Sequence, residues 1–309
     1  MLKVCYPVIE NIVKEIVKLK KENNAIILAH NYQSPEIQDI ADYTGDSLEL
    51  ARIATKSDCD VIVFCGVKFM GETAHILSPE KTVLLPEKNA GCPLAEMVTI
   101  EKLKELQDEN PGAVTVCYVN SSALIKANSD VCCTSANAVK IIAALDKETP
   151  IIFVPCKHLG GYAARVTGRN VILADGYCTV HKKIIPEDII ALKNKMPDAV
   201  VLTHPECSEK VIELSDYICS TSQMFAAIET SNAKRFIICT EVGMLTPLRK
   251  RYPDKEFFPT SERVVCGDMK KTTLNKVLTS LQTMQPKVEL DPDIRQKALK
   301  SLERMLEYV

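Results

Sequence analysis

Residues 28–47 read LAHNYQSPEIQDIADYTGDS, and two later segments repeat the same order of residue types. They are CYVNSSALIKANSDVCCTS at 117–135 and LTHPECSEKVIELSDYICST at 202–221. In each, an apolar run precedes a polar triplet, a helical stretch, an aspartate that follows Ser or Ala, and a hydroxyl residue. Because an internal repeat determines the architecture of a chain, the sequence predicts three homologous lobes.

Three aspartates, Asp42, Asp130 and Asp216, align the copies. Twelve residues before the aspartates stand His30, Tyr118 and His204, and ten residues before them stand Tyr32, Asn120 and Glu206. Five residues after the aspartates stand Ser47, Ser135 and Thr221. Cys92, Cys178 and Cys266 follow the aspartates by 50, 48 and 50 residues. The repetition therefore singles out one cysteine column and three polar columns as candidates for a shared site.

Short apolar strands alternate with helical stretches in every copy, which is typical of parallel α/β units. The first copy has strands near 25–30, 61–66 and 82–86 and helices near 47–56 and 69–77, after an amphipathic helix over 8–23. We expect an α/β fold with three small parallel-sheet lobes in a pseudo-threefold arrangement around a central active site. Lobe 1 covers 1–91, lobe 2 covers 92–177 and lobe 3 covers 178–266, and helices within 267–309 are expected to pack back on lobe 1.

Composition excludes several classes of protein. The net charge is −2 over 309 residues and no basic stripe interleaves with aromatics, so nucleic acid is not an expected partner. No apolar run reaches the ~18 residues that span a bilayer, and the first residues lack the apolar core of a signal peptide. We therefore expect no membrane partner and a cytoplasmic location, where the thirteen cysteines are reduced thiols or metal ligands.

The cysteine column suggests a metal centre with a vacant position. Three thiolates can hold zinc with an open site, or a cubane [4Fe–4S] cluster with one iron that lacks a protein ligand. Residue chemistry leaves both open. The pair Cys178 and His181 resembles half of a zinc site, but no second such pair lies nearby.

The polar columns lie where parallel strands end, which is where α/β proteins bind ligands. The hydroxyl column (Ser47, Ser135, Thr221) is explained either by helix capping alone or by capping together with binding of an anion. Glu206 is either a surface glutamate or a catalytic acid/base. A structural role would explain His30 or His204 alone, whereas their equivalent positions favour a shared purpose.

Seven segments together resemble the quinolinate synthase (quinolinate synthetase A) family over nearly the whole chain. They are AHNYQ (29–33), GDSLELA (45–51), YVNS (118–121), CTSANA (133–138), HPEC (204–207), STSQM (220–224) and TEVGM (240–244). The resemblance implies a transferase of de novo NAD biosynthesis that uses one [4Fe–4S] cluster per chain. It condenses iminosuccinate with dihydroxyacetone phosphate to quinolinate, phosphate and water. An aspartate oxidase or dehydrogenase would supply the iminosuccinate.

The same resemblance implies roles for individual residues. The cluster ligands are Cys92, Cys178 and Cys266, and the catalytic residues are Glu206, Tyr32 and His30. The substrate-binding residues are His30, Ser47, Tyr118, Val119, Asn120, Ser135, His204, Pro205, Glu206 and Thr221.

This chain departs from the family pattern at several loop positions. Thr179 follows Cys178 where proline is common, and Ser222 stands where glycine is usual. The remaining rival functions are a zinc-dependent lyase or aldolase that uses the same thiolates, and a non-catalytic solute-binding or redox-sensing module.

Overall fold

Three four-stranded parallel sheets flanked by helices form the frame of the protein in the computed structural model, which describes residues 5–308. The three sheets have equivalent strand orders, β2-β1-β3-β4, β6-β5-β7-β8 and β10-β9-β11-β12, numbered along the chain. The prediction of an α/β fold with three similar lobes is therefore confirmed.

The first lobe begins with a long helix that packs on the sheet. Its elements are α1 (Cys5–Glu22), β1 (Ala25–His30), α2 (Pro35–Ile40), β2 (Tyr43–Gly45), α3 (Ser47–Lys56), β3 (Val61–Cys65), α4 (Lys68–Leu77) and β4 (Thr82–Leu84). β3 is buried along its whole length, as expected for the central strand of a parallel sheet that helices cover.

The second lobe repeats this order after two short helices. Its elements are α5 (Pro93–Glu96), α6 (Ile100–Glu109), β5 (Val114–Tyr118), α7 (Ala123–Ala127), β6 (Val131–Cys133), α8 (Ala138–Ala144), β7 (Ile151–Val154), α9 (Lys157–Thr167) and β8 (Val171–Leu173). β5 pairs with β7 in register from Val114 opposite Ile151, which places both strand ends at one edge of the sheet.

The third lobe has the same succession. Its elements are α10 (Pro186–Lys195), β9 (Val200–Thr203), α11 (Glu209–Ile212), β10 (Tyr217–Ile218), α12 (Thr221–Thr230), β11 (Arg235–Cys239), α13 (Leu245–Arg251) and β12 (Glu256–Pro259). Two helices follow, α14 (Leu274–Thr283) and α15 (Pro292–Leu306).

The sequence did not predict one of the two edge strands of each sheet. β2, β6 and β10 are only two or three residues long. Strands this short give no hydrophobic period, and two of them are largely exposed.

The aligning aspartates fasten these edge strands to the sheet. In lobe 1 the Asp42 N–H donates to the carbonyl of Ile27 at 2.9 Å, and the Asp42 carboxylate accepts the Ile27 N–H at 2.8 Å. Asp130 makes the same pair of bonds with Thr115, and Asp216 with Val201. The aspartates that align the three copies of the repeat therefore have a structural role.

The two C-terminal helices pack on different lobes. α14 packs against α1 and β3 of the first lobe, whereas α15 packs against α7 and β6 of the second. In α15, the Ser301 hydroxyl donates to the carbonyl of Lys126 at 2.8 Å. The expectation that the last helix returns to the first lobe is therefore corrected, because its apolar stripe covers the second sheet.

The chain forms two compact units. The first comprises the residues up to Cys92 together with Gly267–Leu290, and the second comprises Pro93–Cys266 together with the residues from Asp291 onwards. The lobe boundaries expected from the repeat stay predictions. None of the helices in the described part of the chain is both long and apolar enough to cross a membrane.

Candidate functional site

Burial separates the cysteines into two groups. Twelve of the thirteen cysteines fall in the described side chains, and all twelve are free thiols. Nine of these are buried, and the three that are partly exposed are Cys92, Cys178 and Cys266. A thiol that reaches a cavity or solvent can bind a metal, whereas a buried thiol behaves as a small apolar side chain. The column singled out by repetition is therefore also the accessible one.

One backbone hydrogen bond, repeated in each lobe, holds the segment that leads to the exposed cysteine. The acceptor is the backbone carbonyl of the residue two positions before the cysteine. The donor is the backbone N–H of the residue three positions after the end of the third strand of that lobe, counted along the sequence. The pairs are Lys68 N–H to the Ala90 carbonyl at 2.8 Å, Lys157 N–H to Gly176 at 2.8 Å, and Val242 N–H to Val264 at 3.0 Å. Each cysteine is thereby placed beyond the carboxyl edge of its own sheet.

In the second lobe this approach requires glycine. A Cβ atom on Gly176 would lie 2.3 Å from the carbonyl oxygen of Pro155, which is closer than atoms can approach. Only a residue without a side chain lets the loop run this close to the neighbouring backbone. The glycine at position 176 therefore determines the path of the loop that carries Cys178.

Cys178, His181 and Glu206 form a cluster in which their ligand atoms all lie within 4.8 Å of one another. The His181 and Glu206 side chains are almost fully buried. His181 Nδ1 lies 3.2 Å from Glu206 Oε2, and His204 Nδ1 lies 3.4 Å from the same oxygen. The two imidazole rings stack with centroids 4.6 Å apart. The chain therefore surrounds one buried carboxylate oxygen with two histidines and a predicted cysteine ligand.

Glu206 has one oxygen that makes no hydrogen bond. Its Oε1 atom is buried and has no hydrogen-bond partner in the described part of the chain. A buried polar oxygen without a partner is costly, so sites that retain one usually use it. The carboxylate is thus placed to accept or return a proton.

His181 has both ring nitrogens close to polar groups. Its Nε2 lies 2.8 Å from the Thr240 hydroxyl, while Nδ1 faces Glu206. Burial lowers the pKa of His181, but the adjacent Cys178 thiol and Glu206 carboxyl outweigh burial and raise it to about 10. Ligation of a metal by His181 would break one of these contacts, so the cysteine is the better ligand of the pair.

Glu241 supports the third cysteine. Its side chain is fully buried, and its Oε1 accepts the backbone N–H of Cys266 at 3.1 Å, while Oε2 accepts that of Gly243 at 2.7 Å. In the first lobe the Asp268 carboxylate similarly accepts the N–H of Gly91, next to Cys92, at 3.2 Å. Two acidic side chains therefore position loops that carry predicted ligands.

In the first lobe, His30 and Tyr32 lie at the edge of the sheet that corresponds to the position of His204 and Glu206 in the third. His30 is buried and its ring meets that of Tyr32 edge-on, with centroids 4.6 Å apart. Lys270 donates from its ammonium group to the carbonyl of Tyr32. Burial first, and the charge of Lys270 second, lower the pKa of His30 to about 3. His30 is thus neutral at physiological pH.

Capping does not explain the hydroxyl column. The N-cap of α3 is Asp46 and that of α12 is Ser220, each one residue before the predicted position, and each forms a reciprocal capping box. In the second lobe the N-cap of α8 is Asn137, whose side chain makes no capping bond and instead accepts the Thr134 N–H at 2.7 Å. The capping interpretation of Ser47, Ser135 and Thr221 is therefore wrong, because the N-cap residues are Asp46, Asn137 and Ser220.

The other predicted pocket residues also lie past strand ends. Tyr118 ends β5 and is followed by Val119 and Asn120, and Pro205 follows His204 after β9. The Gln223 side chain of α12 donates to the carbonyl of Ala136 at 3.3 Å. Within the second unit this bond brings together the segments that carry Ser135 and Thr221.

Sequence reasoning missed four residues that support the site: Thr240, Glu241, Asp268 and Lys270. Thr240 and Glu241 stand within the TEVGM segment, so their presence in a motif was a usable signal. Asp268 and Lys270 follow Cys266 closely in sequence and belong to no repeated column, so the repeat offered nothing to find them.

Comparison with known proteins matches nearly the whole chain. The family model "Quinolinate synthetase A protein" matches residues 14–307. A protein named quinolinate synthase from Dehalococcoides mccartyi strain CBDB1 is 52% identical over 300 residues, covering 97% of this chain and 99% of the relative. Proteins with the same name from Geobacter sp. strain M21 and Methanoregula boonei are each 51% identical, covering 96% and 95% of this chain and 97% of each relative.

Proposed function

The chain belongs to the quinolinate synthetase A family of enzymes, and from this premise we propose that it makes quinolinate with the help of a [4Fe–4S] cluster. The proposed reaction joins iminosuccinate and dihydroxyacetone phosphate to give quinolinate, phosphate and two water molecules. The proposed ligands of the one cluster per chain are Cys92, Cys178 and Cys266.

The observation that carries the proposal is the exposure of the cysteines. The same three thiols that recur in the repeat are the partly exposed ones among the twelve described, and an equivalent backbone bond holds the loop that leads to each of them. An all-sulfur donor set suits iron–sulfur clusters. When bound, such a cluster with three protein ligands supplies an iron that can act as a Lewis acid.

Proton transfer is assigned to the chain's own side chains. Ring formation requires removal of protons from carbon and nitrogen and delivery of protons to the hydroxyl groups that leave as water. Glu206 is buried, and among the described residues one of its oxygens has no hydrogen-bond partner, which suits a general base. Tyr32 occupies the equivalent position in the first lobe and is proposed to share this task.

Binding of the substrates is assigned to neutral donors. The substrates carry two carboxylates and a phosphate, and the proposed pocket residues beyond the histidines are Tyr118, Val119, Asn120, Ser135, Pro205, Thr221 and Ser47. Hydroxyl and amide groups bind anionic oxygens without the desolvation cost of a second buried charge. We further propose that the enzyme acts in the cytoplasm, where an aspartate oxidase or dehydrogenase supplies iminosuccinate.

A zinc-dependent lyase or aldolase is the second candidate. It is favoured by the mixed sulfur, nitrogen and oxygen atoms of Cys178, His181 and Glu206, which lie within 4.8 Å of one another. The contacts of His181 with Thr240 and Glu206 weigh against it, since ligation would disrupt them.

One experiment separates the candidates. The protein is purified without oxygen, its iron, sulfide and zinc are measured, and quinolinate is assayed from iminosuccinate and dihydroxyacetone phosphate. We expect about four iron and four sulfide per chain together with turnover. One zinc per chain and no quinolinate would support the second candidate and refute the first. Ligand binding without turnover of any kind would instead indicate a binding module.

A further inference from the structure

A cationic side chain recurs in all three lobes, 39 residues after each of the aligning aspartates. The three members of this column are Lys81, Arg169 and Lys255, and each precedes the fourth strand of its sheet by one or two residues. None of the roles proposed for the site uses these residues. Their repetition nevertheless indicates a function that all three lobes share.

The three cations make the same contacts with the same helix of their lobe. Each donates to the C-cap carbonyl of that helix and to the carbonyl three residues before it. The distances are 2.6 and 2.7 Å from Lys81 to α3, 2.8 and 3.3 Å from Arg169 to α8, and 2.8 Å for both bonds from Lys255 to α12. The last carbonyls of a helix have no partner within the helix, and the helix dipole favours a cation there. The cation therefore fastens the C-terminal end of one helix in every lobe.

The cation is itself attached to the sheet. Thr82 and Glu256 directly follow Lys81 and Lys255 and are the first residues of β4 and β12. These two strands pair with the central strands β3 and β11. The helix end is thus connected to the sheet through the cation, and the helix cannot slide along its axis without breaking the bonds.

The opposite end of two of these helices carries a hydroxyl that is proposed to bind substrate. Ser47 is the first residue of α3, and Thr221 is the first residue of α12. Each helix has ten residues, which makes it about 15 Å long. A helix this short moves as a unit, so a shift at its last turn displaces the hydroxyl at its first. In the second lobe, Ser135 lies outside α8, three residues before its start at Ala138.

We propose that Lys81 and Lys255 are positioning residues for substrate binding. Through the helix that it fastens, each sets the place of one hydroxyl, that of Ser47 or that of Thr221. This inference rests on the proposed function for the substrates and for the part of the two hydroxyls in binding them. A contact that is equally strong before and during the reaction affects KM and not kcat. Misplacing these hydroxyls should therefore raise KM.

The first test separates positioning from stability. Lys81→Met and Lys255→Met keep the aliphatic part of the side chain and remove its donors. In each we expect the KM for iminosuccinate or for dihydroxyacetone phosphate to rise about tenfold, with kcat within about twofold of wild type, because small displacements of a binding group are costly. Lys81→Arg and Lys255→Arg should keep the wild-type KM, since Arg169 makes the same bonds in the second lobe.

Lys193 provides the matched control. Its ammonium group donates to the carbonyls of Pro197 and Ala199 at 3.0 and 2.8 Å, just beyond the end of α10, which carries no predicted pocket residue. Lys193→Met should lower the midpoint of urea denaturation and keep the wild-type KM. The same result in Lys81→Met and Lys255→Met, a lower midpoint with an unchanged KM, would overturn the proposal. If one of these two variants does not fold, the other applies the same test in its own lobe.

Hydrogen exchange gives a measurement that does not need turnover. Amide exchange is followed by mass spectrometry on peptides from both ends of α3 and α12. In the two Lys→Met variants we expect faster exchange in the last turn and also in the first, where Asp46 and Ser220 accept backbone N–H groups. Faster exchange in the last turn alone would show that the helix frays without moving and would refute the proposal. Both changes in a protein that makes no quinolinate would refute the proposed reaction and support the positioning role.

Discussion

The turn at His30 in the first lobe and the turn at His204 in the third share one backbone structure but have opposite electrostatic surroundings. In the first lobe an ammonium group, that of Lys270, contacts the turn. In the third, the turn itself supplies a carboxylate, Glu206, and the stacked rings of His181 and His204 both approach one of its oxygens. The backbone turn and the hydrogen bond to histidine Nδ1 are common to both turns, while the residue two positions on, Tyr32 or Glu206, differs.

This difference shows what repetition preserves. The aspartate that fastens the edge strand and the bond that holds each cysteine loop recur in all three lobes. They depend on backbone atoms, whose positions the sheet dictates. Side chains that face the site are under no such constraint, so one lobe supplies a carboxylate and another a phenol. The comparison leads to four predictions.

The largest effect should come from the cysteines. In Cys178→Ala we expect loss of bound iron and of quinolinate synthesis, measured by iron analysis and product assay, because the site loses one of three ligands. Cys65→Ala, at a fully buried thiol in β3, should keep its iron and lose about 1 kcal/mol of stability. A fully loaded Cys178→Ala protein would show that exposure does not identify the ligands.

The next effect concerns the residue that differs between the two turns. Glu206→Gln and Tyr32→Phe should each lower kcat by about 10²- to 10⁴-fold while iron content is unchanged, because each removes a group proposed to transfer protons and leaves the proposed cluster ligands in place. Glu209→Gln, on α11 in the same lobe, is a control at an exposed glutamate. Wild-type turnover in Glu206→Gln would remove this carboxylate from the mechanism.

A smaller effect is expected in the pH dependence of stability. Because the pKa of folded His30 is about 3 and its ordinary value is 6.5, the unfolded chain binds a proton first as pH falls. Stability is therefore complete above pH 6.5 and declines towards pH 3, by about 2 kcal/mol at pH 5 from this residue. His30→Gln should lack that component in urea denaturation between pH 7 and 5. An unchanged pH profile would contradict a neutral His30.

The smallest effect should be shared by all three lobes. Asp42→Ala, Asp130→Ala and Asp216→Ala each remove the acceptor of one backbone N–H at the base of an edge strand. We expect each to lower the free energy of unfolding by about 1 kcal/mol, with kcat unchanged. A loss of turnover in one variant at full stability would give that aspartate a functional role as well.

Much of the fold could be predicted because burial leaves a periodic signal in the sequence. The central strands β1, β3, β5, β7, β9 and β11 are apolar runs, and their ends were predicted to within one or two residues. The edge strands β2, β6 and β10 were missed because runs of two or three residues are too short to show a hydrophobic period. The packing of α15 was mistaken because an amphipathic helix specifies an apolar face but not the surface that covers it.

Only those residues of the candidate site that occupy matched positions in the repeat could be predicted from the sequence. The cysteine column and the polar columns were found by alignment, and the buried partners Thr240 and Glu241 were not, since one buried polar residue looks like any other in a sequence. The hydroxyl column was misread for a similar reason: Ser47 and Thr221 resemble caps, but Asp46 and Ser220 stand one residue closer to the true helix start.

The sequence by itself determined the three lobes, the strand edges that carry the polar groups and the three thiols set apart from the rest, because these follow from hydrophobic period and repetition. Only the tertiary structure decided that one oxygen of Glu206 is buried close to two stacked histidines and which thiols are accessible. Such properties depend on contacts between residues distant in sequence, and local patterns contain no information about them.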